Sequence, residues 1–205
     1  MAMVHGIVLA AGQSARMGRP KAALRLGAGG PTFAAAAVDA LRLGGVTRVV
    51  VVAGAHPDAV REALAGTAEV DVIQHSDWTS GQLSSVLAGL AAVDRPEVDA
   101  VAVTLVDVPL VRATTVAALV AAWRATRAPV VRPAIGDRHG HPVIFDRAVF
   151  AALRAAPLDV GAKAVIAACG PAVVNVPVDD PGALRDVDTP EEYAALLAGD
   201  RPPAP

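Results

Sequence analysis

The sequence predicts an α/β fold: a Rossmann-like, three-layer α/β/α arrangement around a mostly parallel mixed sheet. Three observations predict it. Short apolar, β-branched runs alternate with Ala-rich stretches of helical length, the pattern of strands covered by helices on both faces. Some runs, such as Arg48 to Ala53 (RVVVVA), are apolar without alternation, as strands buried on both faces are. The first run ends in a loop of small residues, where the carboxyl ends of strands in such folds bind ligands.

The elements follow in order. Val4 to Ala10 is an apolar run ending in small residues, a buried strand. Pro31 to Leu43 reads as a helix with Pro31 near its first turn. Arg48 to Ala53 is a strand, Pro57 to Leu64 a helix and Val70 to Gln74 a strand. Gln82 to Ala92 is a helix opened by a Gly-bearing loop. Asp99 to Leu105 is a buried strand ended by Asp107 and Pro109. Thr114 to Thr126 is a helix and Pro129 to Arg132 a strand. Gly136 to His141 is polar and turn-like and precedes the strand Val143 to Phe145, which predicts a hairpin excursion with an antiparallel strand. Helices follow near Ala148 to Ala155 and Gly161 to Ala168, then a strand at Val173 to Val176. Pro190 to Leu197 is the last helix, with Thr189 as N-cap and Glu191 and Glu192 in its first turn. The expected organisation is one domain over residues 1–198 and a frayed tail over 199–205.

Composition narrows the class. The chain has 205 residues, and 54% are apolar, which argues against disorder. No uncharged apolar run reaches the ~18 residues of a membrane span. A net charge of −2 and 3% aromatic residues offer neither a general basic surface nor many stacking platforms for nucleic acid. A small-molecule substrate fits better, with no nucleic-acid or membrane partner. Cys169, the single cysteine, lies in an apolar helical context and reads as a buried, reduced thiol, which with the absent signal peptide points to the cytoplasm.

The loop after the first strand, Ala10 to Lys21 (AAGQSARMGRPK), carries the chemistry. Small residues let backbone N–H groups approach phosphates. Arg16 can fork onto phosphate oxygens, and Lys21 can supply a compact point charge. Among eighteen basic residues only Lys21 and Lys163 are lysine, so a lysine in this loop is a choice against the chain's usage. Two other phosphate loops are excluded. Arg19 follows Gly18 and no Ser or Thr follows Lys21, so this is not a P-loop. Gln13 and Ser14 follow Gly12, so it is not a dinucleotide fingerprint.

Leu9 to Lys21, as L-A-A-G-x-S-x-R-M-G-x-x-K, resembles the signature of the nucleotidyltransferases of molybdenum cofactor biosynthesis, whose fold is that of the nucleotide-diphospho-sugar transferases. Further segments extend the resemblance over nearly the whole chain. Gly81-Gln82-Leu83-Ser84-Ser85 is similar to the G-x-x-S-S segment of the cytidylyltransferase branch. Leu105 to Pro109 resembles its L-x-D-x-P metal site, and Gly140-His141-Pro142-Val143 its G-[NH]-P-V loop. Asp159 to Lys163 and Asp186 to Pro190 resemble its D-x-G-A-[RK] and D-x-D-T-P elements.

The resemblance implies Mg²⁺-dependent transfer of a nucleoside monophosphate from a nucleoside triphosphate to a phosphate-bearing acceptor, with molybdopterin the expected acceptor. It implies catalytic roles for Arg16 and Lys21. It implies nucleotide binding by Leu9, Ala10, Ala11, Gly12, Ser14, Arg16, Gly18 and Lys21, with Gly81, Ser84 and Ser85 near base and ribose. The Gly81 to Ser85 segment is unlike the P-L-A-G type of the guanylyl branch, which favours CTP over GTP. The residues themselves leave the nucleobase, the acceptor and the oligomeric state open. A guanylyl- or sugar-phosphate nucleotidyltransferase, and a non-catalytic nucleotide-binding chaperone for cofactor insertion, are the alternatives.

Asp107 ends a buried apolar run, where a carboxylate is costly unless it meets a cation or donors. Mg²⁺ takes hard oxygen ligands, typically one or two carboxylates with phosphate oxygens and water. Asp107 and Asp188 are the expected pair, with Asp186 as the substitute for Asp188. Gly140, His141 and Lys163 are expected at the second substrate, with Arg132 and Arg138 as further candidates for its phosphate. His139 and His141 lack a third nearby metal ligand. His5, His56, His75, Trp78 and Trp123 are expected to be structural or superficial.

Overall fold

The computed structural model describes residues 2–199; the expectation of a frayed tail over residues 200–205 lies outside the described residues. Four parallel strands form one half of the sheet: β1 (Met3–Ala10), β2 (Val49–Ala53), β3 (Val70–Gln74) and β4 (Val98–Leu105). Their order is β3-β2-β1-β4. The crossovers are carried by α1 (Phe33–Leu43), α2 (Pro57–Ala63) and α3 (Gln82–Val93).

Beyond β4 and α4 (Ala113–Thr126) the direction changes, as the sequence predicts. β5 (Val130–Ile135) turns into the two-residue β6 (Arg138–His139), and β7 (Val143–Asp146) runs antiparallel between β4 and β5. After α5 (Phe150–Ala155) and α6 (Ala162–Cys169), β8 (Val173–Pro177) pairs parallel with β5. Val130 and Val131 pair with both β7 and β8, so β8 occupies the opposite edge of β5. α7 (Pro190–Leu197) closes the described chain.

The sheet separates two cores, because side chains alternate along each strand. From β1, Val4 and Val8 point to one face, where they meet Phe33, Leu41, Leu119 and Trp123 of α1 and α4. Ile7 and Leu9 point to the other, against Leu83 and Leu90 of α3 and Phe150 and Leu153 of α5. β2 is buried along its whole length, as its unbroken apolar run requires.

Local chemistry sets the helix ends. Thr32 caps α1, its hydroxyl accepting from the Ala35 N–H at 3.1 Å and donating to the Ala63 carbonyl at 2.7 Å. The helix therefore starts at Phe33, and Pro31 lies outside it. Thr189 and Glu192 form a reciprocal capping box at α7. Just past the end of that helix the Gly199 N–H donates to the Leu196 carbonyl. Cys169 is half-buried rather than buried, at the last position of α6. Among the described residues no helix is long and apolar enough to cross a membrane.

Candidate active site

The loop from Gly12 to Pro20 is held in shape by its own backbone. Ser14 takes a left-handed φ of 55°, which lets its carbonyl accept from the N–H groups of Met17 (3.0 Å) and Gly18 (3.1 Å). The Ser14 hydroxyl accepts from the Lys21 N–H at 3.1 Å, and the Met17 side chain is buried under the loop. From the neighbouring crossover, the Ala55 N–H donates to the Ala11 carbonyl, and His56 Nε2 lies 3.1 Å from the Gln13 carbonyl.

This loop borders a cavity of about 560 Å³ above the carboxyl ends of β1, β2 and β4. Leu9, Ala10, Ala11, Gly12, Ser14, Arg16 and Lys21 line it, joined by Gly81 and Ser85 at the start of α3 and by Asp107 and Asp188. Two expected residues are not on it. Gly18 makes the turn instead, with φ 71°. The Ser84 side chain is turned toward His75, with Oγ 2.9 Å from Nε2, and donates to the Gly81 carbonyl at 2.7 Å. Ser84 thus fixes the entry to α3, and His75 is its partner. Gly81 itself has φ 107°, a conformation that side chains resist.

The charged groups converge at one end of the cavity. Lys21 Nζ donates to Asp107 Oδ2 at 2.9 Å and also to Asp188 Oδ1. Arg16 donates to Asp188 Oδ2 at 2.8 Å, although its own side chain is mostly exposed. Extended backbone brings the second carboxylate in: the Val187 N–H donates to the Asp107 carbonyl at 2.8 Å, and the Asp188 N–H to Glu192 Oε2. Val187 is buried and Asp188 faces the cavity, whereas Asp186 is exposed and does not line it. Burial works against the Lys21 ammonium, but the Asp188 and Asp107 carboxylates outweigh it and hold its pKa above the ordinary lysine value. The Lys21 hydrogen bond in turn holds the Asp188 carboxyl below the usual carboxylate range.

A second cavity of about 540 Å³ opens beyond β4, under β7 and α6. Gly140, His141 and Lys163 line it, with Arg132 and His139. Arg132 Nε is tied to Asn175 Oδ1 at 2.8 Å, and Arg138 does not reach the cavity. The His141 peptide N–H donates to the Ala183 carbonyl, and burial pulls the imidazole pKa below its ordinary value. Gly140 packs so tightly that a Cβ there would stand 1.9 Å from the Ala183 carbonyl oxygen. Leu9, Thr79, Gly81, Gln82 and Leu105 border both cavities. The chain's two lysines therefore divide between them, Lys21 in the first and Lys163 in the second.

Among the residues lining the first cavity that sequence reasoning did not expect there, two carry rings able to meet a ligand. His56 and Trp78 both line it. Their positions just after the ends of β2 and β3 were the available signal, since ligands gather at strand carboxyl ends.

Comparisons with known proteins place the chain in a family. The MobA-like NTP transferase domain matches residues 6–173. Rv0371c from Mycobacterium tuberculosis is 31% identical, with a TM-score of 0.82 over 96% of this chain and 98% of that one. A structure of the same M. tuberculosis protein in complex with manganese is matched at 28% identity and TM-score 0.77, covering 96% and 99%. Molybdopterin-guanine dinucleotide biosynthesis protein A from Archaeoglobus fulgidus shares the fold at 17% identity and TM-score 0.68, covering 96% and 97%. No curated protein matches the chain. The match of the family model over most of the chain, together with the 31% identity to Rv0371c, assigns the protein to the MobA-like NTP transferase family, and it is a nucleotidyltransferase.

Proposed function

We propose that the chain, as one unit over residues 1–198, transfers cytidine monophosphate from CTP to molybdopterin in the cytoplasm and releases pyrophosphate, with Mg²⁺ as cofactor. The observation that carries this reading is the meeting of Lys21, Asp107 and Asp188 at the end of a cavity walled by the phosphate loop.

The first cavity holds the nucleotide on the backbone and small side chains of Leu9, Ala10, Ala11, Gly12 and Ser14, with Gly81 and Ser85 toward the nucleoside. An oxygen of the acceptor phosphate attacks the α-phosphorus. The bond from that phosphorus to the β-bridging oxygen breaks, and pyrophosphate leaves with the electron pair. Arg16 and Lys21 offset the charge that develops on the phosphoryl oxygens.

The residues present fit a divalent cation. Asp107 Oδ1 is buried without a hydrogen-bond partner, and Asp107 and Asp188 offer hard oxygen ligands. When bound, Mg²⁺ would neutralise charge on the triphosphate. Gly140, His141 and Lys163 hold the acceptor in the second cavity, where Lys163 and Arg132 suit its phosphate.

The test incubates the protein with each of the four NTPs, Mg²⁺ and molybdopterin, and follows pyrophosphate. Release with CTP is the expected result. Release with GTP but not CTP would redirect the reading to the guanylyl branch, and release with no NTP would sink it.

A further inference from the structure

We propose that Trp78 is the platform on which the base of the nucleoside triphosphate stacks. The inference rests on the reading of the first cavity as the nucleotide site and adds where the base lies.

The strand order fixes the direction of the nucleotide. Asp107 follows β4, the phosphate loop follows β1 and Gly54 follows β2, so these groups stand side by side along the sheet. Neighbouring strands are about 4.8 Å apart, which puts the end of β2 about 10 Å from the end of β4. Both Arg and Lys side chains of the cavity, Arg16 and Lys21, are tied to Asp107 or Asp188 at the β4 end. The side of the cavity at the end of β2 carries Trp78 and His56 and no Lys or Arg. A triphosphate seeks the first end, and an uncharged aromatic base is left with the second.

Trp78 is built into that end. It lies on a short helical turn, Trp78–Ser80, between β3 and α3, and it is half-buried. Its Cβ and Cγ rest on Gly54: a Cβ added to that glycine would stand 2.7 Å from Trp78 Cγ and 2.4 Å from the Ala11 carbonyl oxygen. The absent side chain at Gly54 therefore seats the indole directly over the end of β2, beside the phosphate loop. Thr79, Gln82 and Ser85 lie nearby with polar groups for the base edge. Stacking tolerates every base, so Trp78 supplies affinity and leaves base choice to those edge contacts.

The experiment titrates CTP and GTP with Mg²⁺ into the wild-type protein and reads tryptophan emission and calorimetric affinity, with tripolyphosphate as the baseless probe. Trp123 is fully buried on the other face of the sheet, so Trp78 is the emitter a nucleotide can quench. Both nucleotides should quench. Trp78→Leu should weaken both about tenfold or more while tripolyphosphate binds unchanged. Trp78→Phe should keep affinity within about threefold and lose the quenching. Wild-type affinity for CTP and GTP in Trp78→Leu, or an equal loss for tripolyphosphate, overturns the proposal. If Trp78→Leu does not fold, the Phe variant decides, and quenching retained in it overturns the stacking. A wild-type protein that binds neither nucleotide overturns the reading of the cavity itself, a separate outcome.

Discussion

The Lys21 ammonium and the Asp107 carboxylate meet at 2.9 Å at one end of the first cavity, and Asp188 shares the same ammonium. In this arrangement Lys21 bridges two carboxylates that are expected to hold a metal, and Arg16 pairs with one of them. Lys21→Met should therefore have two opposite effects. Mn²⁺ binding in the absence of nucleotide, read by electron paramagnetic resonance, should tighten, because the ammonium no longer competes for the oxygens. Turnover should fall by about 10²–10³, the loss typical of removing one donor to a developing oxyanion. Unchanged Mn²⁺ affinity would show that the lysine and the metal do not share those ligands.

Asp107→Ala should abolish pyrophosphate release while part of the nucleotide affinity survives, since the loop proposed to hold the phosphates is built from other residues. Measuring CTP binding and turnover on the same preparation separates the two. Intact turnover would remove Asp107 from the chemistry.

The Lys21–Asp188 contact also predicts a pH profile of stability. The Asp188 carboxyl is held below its ordinary value, so its contribution is present above the unfolded pKa of about 3.9 and is lost as pH falls through the lower folded value. Lys21 is held above its ordinary value, so its contribution is complete below about 10.4 and is lost as pH rises through the higher folded value. Thermal unfolding of the wild type against Lys21→Met should thus differ most between about pH 5 and pH 9, and the two curves should converge at both extremes. A difference that stays the same below about pH 3 and above about pH 11 would contradict the linkage.

Away from the site, Trp123 is fully buried and its Nε1–H donates to Asp146 Oδ2 at 2.9 Å. Trp123→Phe removes volume and leaves that buried carboxylate oxygen one donor short. A loss of about 2–4 kcal/mol in urea unfolding is expected, with turnover per folded molecule unchanged.

Gly140→Ala probes the second cavity. Its Cβ would collide with the Ala183 carbonyl, so the loop before β7 must shift, at a cost of about 1–3 kcal/mol. The KM for the acceptor should rise and that for CTP should not. The reverse split would place the acceptor elsewhere.

Much of this was legible in the sequence because local and tertiary requirements agree there. RVVVVA could only be a doubly buried strand, and the polar turn after Pro133 announced the change of strand direction that β7 carries out. Asp107 stood out as a carboxylate ending an apolar run. What could not be read was how a polar side chain divides its bonds. Ser84 looked like a ligand to the nucleoside, yet its hydroxyl is turned to His75 nine residues earlier and to the first turn of its own helix. Gly18 looked like part of the phosphate cradle but serves the turn that shapes it. Trp78 offered only the signal of its place after β3, because its seat depends on a missing side chain at Gly54, twenty-four positions away and on another strand's end.

The wall of Leu9, Leu105, Gly81, Gln82 and Thr79 shared by the two cavities has a stereochemical consequence. Displacement at phosphorus requires the entering oxygen and the departing one to stand on opposite sides of the atom. A donor approaching over the parallel strands and an acceptor approaching from the antiparallel flap meet that condition by direction alone. The proposed placement of donor and acceptor therefore predicts inversion at the α-phosphorus, which a chiral phosphorothioate analogue of the donor would read out.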